Sequence, residues 1–185
     1  MTFLYLSLMT LVMIATRFPF GGGVLHLIDA SWALFFVLGR LYTPNKQWYL
    51  SFGWLFAVSW GIDFIATQGQ VVSDYCMTPA YLGLPVAYGI LAACGNLSWR
   101  RPHSVVWLVL MTLLGSTLAF YITNQFFYSL SGYFSAMSQI DYWRSVVQYV
   151  PGYILTTQLY LLGWVLLNRL MPLELSMRAR LEQTQ

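Results

Sequence analysis

Apolar residues run along this chain in six blocks, at about 2–18, 24–42, 48–67, 80–99, 104–128 and 144–170, with short polar breaks between them. A membrane-spanning helix needs roughly 20 predominantly apolar residues, so each block is near spanning size. The first is the shortest, and the last two are long enough to tilt or to project beyond the bilayer. A membrane β-barrel would show alternating segments of about 10 residues, and nothing here alternates. The pattern predicts an all-α integral membrane protein. It forms a single domain over 1–185 with six transmembrane helices, short connections, and no internal repeat or low-complexity segment.

Composition strengthens this reading. Of 185 residues, 58% are hydrophobic and only 8% are charged, against about 25% charged in an ordinary soluble domain. Mean hydropathy is +0.62. The opening run "MTFLYLSLMTLVMIATR" has no basic residues ahead of its apolar stretch and no small-residue cleavage site, so it reads as a first transmembrane helix rather than a signal peptide. The net charge of +3 makes no case for nucleic acid. Where the charges fall is more informative, because cytoplasmic loops are enriched in Lys and Arg. With the N-terminus inside, Arg40, Lys46, Arg100, Arg101, Arg169, Arg178 and Arg180 are cytoplasmic, and only Arg17 and Arg144 are outside. Both termini are then cytoplasmic.

That orientation gathers the unusual chemistry on the outer side, in "RFPFGGGVLHLID", "QGQVVSDYCMTPAY" and "YSLSGYFSAMSQIDYWR". Cys76 sits between Asp74-Tyr75 and Met77-Thr78-Pro79, in a loop facing an oxidising compartment. Free cysteines are most often small buried hydrophobes, as Cys94 in "ILAACGNL" is expected to be. Cys76 has the alternative of acting as metal ligand or nucleophile. Pro79 suits a first helical turn, and a thiol just before a helix N-terminus is favoured as thiolate, a strong soft donor to transition metals. Asp63, in "SWGIDFIAT", is an acid at hydrocarbon depth; such residues face a cavity or a partner, or are structural acids near the interface. His26 and Asp29, three apart, either share a helix face or mark a helix start capped by Asp29. The capped version would shorten the second helix to about 13 residues, which disfavours it. Asp141 and Arg144 have the same spacing, as a local ion pair or with Arg144 holding a ligand amide or phosphate. Outer tyrosines, Tyr75, Tyr81, Tyr133, Tyr142, Tyr149 and Tyr153, belong either to the interfacial aromatic belt or to a pocket for a large flat ligand.

Several classes are excluded. Lys46, the only lysine, lies in an inner loop, so there is no P-loop and no intramembrane lysine for a retinal Schiff base. Cys76 and Cys94 are not a redox pair: fifteen residues of helix after Pro79 separate them by roughly 22 Å, well beyond the ~7 Å reach of a disulfide. No CxxC, HExxH or GxSxG occurs, and His26 and His103 fall on opposite faces, so they cannot share a metal.

With its outward cysteine at the head of the fourth helix, "DYCMTPAYLGLP" resembles the BtuM-type cobalamin transporters of bacterial inner membranes. These are solitary relatives of the S-components of energy-coupling-factor vitamin transporters. Six helices, cytoplasmic termini and a pocket built from outer loops are similar to that group as a whole. The resemblance implies a multi-pass, S-component-like bundle that takes cobalamin from the periplasmic side, with Cys76 as axial ligand to cobalt. Tyr75, Met77 and Tyr81 would contact the corrin by adjacency; His26, Asp63 and Arg144 are inferred pocket residues outside any motif. Thiolate donation would also labilise a cyanide on the opposite cobalt face. The implied partners are a corrinoid and membrane lipid. S-components that dock on a shared ATPase module carry an Ala-x-x-x-Ala face on the first helix, and "LYLSLMTLVMIAT" offers Leu, Met and Val instead, so an energising module is not implied. The alternatives are an S-component for another vitamin that requires such a module, or a thiol-dependent membrane enzyme using Cys76.

Overall fold

The computed structural model describes residues 2–17, 29–42, 45–69 and 77–170, with side chains from Tyr5 to Asn168. The helices are α1 (Thr2–Arg17), α2 (Ser31–Leu41), α3 (Lys46–Gln68), α4 (Gly83–Ser98), α5 (Val105–Leu130), α6 (Gln139–Val146) and α7 (Val150–Leu170). A 3-10 turn at Pro79–Leu82 leads into α4, and another at Val147–Tyr149 joins α6 to α7. The described residues contain no strand. Four stretches are long and apolar enough to cross a membrane: Lys46–Gln68, Pro79–Ser98, Val105–Leu130 and Gln139–Asn168.

Local chemistry sets the helix starts. Asn45 accepts from Trp48 N (2.8 Å) at the head of α3, and Ser104 accepts from Trp107 N (3.2 Å) at the head of α5. Ser138 does the same for Asp141 N at α6. Each satisfies one of the orphaned donors of a first turn. Pro79 opens the 3-10 turn before α4, where its missing N–H is no loss.

The second helix departs from expectation. Asp29 and Ala30 lie outside it, and α2 begins at Ser31 and runs for 11 residues. Asp29 Oδ1 accepts from Ser31 N (2.9 Å) and Ser31 Oγ (2.6 Å), so its carboxylate does tie down the helix start. The short helix is tolerable because α2 is the centre of the molecule, buried along its whole length. Its stability comes from packing on every face rather than from its own length.

Packing around α2 depends on two close backbone approaches. A Cβ on Gly39 of α2 would lie 1.8 Å from the carbonyl oxygen of Ala92 on α4. One on Gly95 of α4 would lie 2.0 Å from the carbonyl oxygen of Phe36 on α2. Where lipid competes with no hydrophobic driving force between helices, such contacts between small residues supply the association energy. At the same end, Arg40 (5% exposed) donates to Ser98 Oγ (2.9 Å) and to the Pro102 carbonyl (3.2 Å) and lies over the Trp99 ring. These contacts tie α2 to the α4–α5 connection.

Unlike a soluble protein, the bundle is apolar on its outside as well as in its core. Leu155, Leu159, Leu162 and Leu166 form an exposed stripe on α7, and Val106, Leu110, Leu114 and Leu118 are exposed on α5. Ser51, Ser59, Ser98, Thr112, Ser116 and Thr157 are buried. Exposed apolar surface on this scale belongs in lipid rather than in water.

Candidate functional site

The site forms at the bundle end where α1 and α3 finish and α2 and α4 begin. Its centre is Arg17, the last residue of α1. The guanidinium grips Asp63 of α3 with two parallel bonds, Nε to Oδ1 at 2.8 Å and Nη2 to Oδ2 at 2.6 Å. Its Nη1 donates to Asp29 Oδ2 (2.8 Å), Ser31 Oγ (2.9 Å) and Tyr88 Oη (3.2 Å). The fork of an arginine suits this bidentate geometry, and a lysine would not reproduce it. Tyr81, in the turn before α4, donates to Asp63 Oδ2 at 2.5 Å. Tyr88 carries the network into the core, where its ring stacks on Phe35 with centroids 4.0 Å apart. One arginine thus joins α1, α2, α3 and α4. Two carboxylates face one guanidinium, leaving a formal negative charge where the helices converge.

This cluster forms one wall of a cavity of about 920 Å³. The rest of the lining is rich in aromatic rings, which further rings back. Trp32 of α2 meets Tyr153 of α7 at 4.9 Å, and Phe120 of α5 packs edge-on against Tyr153 at 5.5 Å. Tyr142 of α6, 1% exposed, donates to Asn124 Oδ1 (3.1 Å) and packs against Phe134. Tyr149 and Tyr153 are about half exposed where the cavity meets solvent. Small-molecule pockets run from about 300 to 1,000 Å³, so this one is sized for a large ligand. One face offers flat rings and the other offers hydrogen bonds.

Of the residues singled out in the sequence, Asp29, Asp63, Met77, Tyr81, Tyr142, Tyr149 and Tyr153 line this cavity together, and Tyr133 does not. Nor does Arg144; it stands on the far side of α6, 3.5 Å from Asp141, with 77% of its side chain exposed. His26, Tyr75 and Cys76 lie outside the described residues, although Met77, next in the chain to Cys76, is a lining residue. Cys94 is buried between α4 and α5 beside Gly115, a small packing residue.

Sequence reasoning missed Arg17 and Tyr88. Arg17 ended an apolar run and read as an orientation signal. The available clue was arithmetic: an acid at the depth of Asp63 needs a cation, and the outer side holds only Arg17 and Arg144. Tyr88 carried no signal, since nothing local distinguishes it from a belt tyrosine.

Fold and cavity together define an all-α, membrane-embedded protein with a ligand-sized chamber at one end of the bundle. No protein-family model matches the chain, and no curated protein matches it either.

Proposed function

We propose that the protein is a cobalamin uptake transporter of the bacterial inner membrane, with six crossings, cytoplasmic termini and an S-component-like arrangement. The corrinoid would enter the cavity from the periplasmic side and place its cobalt against the thiolate of Cys76. The observation that carries this reading is the 920 Å³ cavity, with aromatic and hydrogen-bonding walls, edged by the neighbour of Cys76. A corrin has a broad flat face for Trp32 and Tyr153 and a periphery of amides. Asp29 and Asn124, both lining residues, suit those amides as hydrogen-bond partners. Sulfur donation from Cys76 would weaken the bond to a cyanide on the opposite cobalt face, and the group would leave as free cyanide.

Protein purified from cobalamin-fed cells is expected to be coloured, with corrin absorption bands shifted by sulfur ligation. Cys76→Ala is expected to lose that shift and to bind at least tenfold more weakly. Colourless wild-type protein, or a variant with unchanged spectrum and affinity, would overturn the assignment. Catalytic turnover blocked by thiol alkylation, with no coloured ligand, would point instead to a thiol-dependent enzyme.

A further inference from the structure

Among the described residues, three buried polar atoms without a partner lie on α5 and α7, outside the wall of the large cavity. They are Ser116 Oγ on α5, and Gln158 Nε2 and Trp164 Nε1 on α7. Folded interiors leave few groups in that state, and each calls for an explanation. In a membrane interior, polar side chains either bond across a helix contact or face the route of a substrate, and these three make no such bond.

Their depths form a series. α7 packs on both α5 and α2. At the Arg17 end, Tyr153 of α7 closes on Trp32 and Phe120 at the large cavity. At the opposite end, Trp164 of α7 lines a second cavity of about 240 Å³ with Arg40 of α2, His103, and Leu108 of α5. Gln158 lies five residues from Tyr153 and six from Trp164, so at ~1.5 Å per residue it sits roughly 8–9 Å from each level. Ser116 lies midway between Leu108 and Thr123, the corresponding lining residues of α5. Thr112 and Thr157 are also buried, their hydroxyls bonded back to Leu108 O and Tyr153 O on their own helices.

The element covering this line is also the one least held. The span containing α7 is 11% buried, against 28–44% for the other three candidate spans. The α2–α4 contact, by comparison, is closed by backbone against backbone at Gly39 and Gly95.

We infer that the groove beneath α7 is a polar passage joining the two cavities, through which an acceptor-rich ligand leaves the large cavity when α7 moves away from α2 and α5. The ligand class rests on the transporter reading above. Amide carbonyls on the corrin periphery are the acceptors that match the unpaired donors of Gln158 and Trp164. The smaller cavity is then the exit.

Two experiments test the passage. In native membranes, Ser116→Cys and Gln158→Cys are treated with a charged, water-soluble methanethiosulfonate, and added label is counted by intact mass against the parent protein. Leu114→Cys and Leu159→Cys, on the exposed apolar stripes, are the controls. The groove cysteines are expected to label at least tenfold faster than the controls; equal rates would remove the passage. Gln158→Leu is expected to cut cellular uptake tenfold or more while the purified variant binds cobalamin within twofold of wild type. Unchanged uptake would equally overturn the inference. If the wild-type protein binds no cobalamin, the functional reading fails, and the labelling rates alone decide whether the groove is a passage.

Discussion

Arg17→Met is expected to be the most damaging single side-chain replacement at the cavity, destabilising the protein by about 3 kcal/mol, the lower end of the range for breaking a buried pair. The lower end is appropriate because Asp63 keeps 22% of its side chain exposed, while Arg17 keeps only 12%. The loss arises less from the missing bonds than from what remains, two carboxylates close together with no cation between them. Charge arithmetic therefore predicts an order of severity. Asp63→Asn leaves a neutral Arg17–Asp29 pair and should cost clearly less than Arg17→Met. Arg17→Lys keeps the charge but loses the fork and should fall between the two. Unfolding of the purified protein by SDS titration measures all three. A result in which Asp63→Asn is at least as harmful as Arg17→Met would show that the cluster is not held by Arg17.

The α2–α4 contact should be equally intolerant, for a steric reason. Gly39→Ala and Gly95→Ala each drive a methyl group to within 2.0 Å of a carbonyl oxygen. Backbone atoms cannot rotate away as a flexible side chain can, so two whole helices must separate. Each variant is expected to lose about 3 kcal/mol, the upper part of the overpacking range, and the double variant to give no folded protein by gel filtration. Gly89→Ala and Gly163→Ala provide the opposite expectation. Neither position has an atom within 4 Å of the added Cβ, so helix propensity alone should stabilise each variant by up to about 1 kcal/mol. Identical behaviour of the four variants would deny the close approach any structural role.

The legible parts of the fold share one property, which is that they follow from local composition. The long apolar runs that form α3, α4 and α5 reach the length needed to cross hydrocarbon, and Pro79 marks a first helical turn. The second helix was harder, because the apolar run continues N-terminal to the residue where the helix begins. Asp29 has the chemistry of a cap, but the short helix it implies is stable only because α2 is enclosed on all sides.

The site was legible only in part, and for the same reason. Asp63 stood out because a carboxylate at that depth is costly without a partner. Met77 and Tyr81 were noticed because they flank Cys76. Arg144 drew attention as one of two outer cations, yet helix geometry turns it away from the cavity to Asp141. Arg17 was the other, and its partners Asp29, Asp63 and Tyr88 lie 12, 46 and 71 residues along the chain.

Hydropathy and desolvation act on each residue wherever it lies, so the lipid solvent, the helical class and an acid in need of compensation are all written along the chain. Folding in three dimensions settles which cation answers that acid, that a buried α2 lies at the centre, and that aromatic residues from α2, α6 and α7 meet around one cavity. Those outcomes depend on distances between segments remote in the chain. Such distances are set by how helices fit together, through contacts such as Gly39 on Ala92, and no stretch of sequence carries that fit alone.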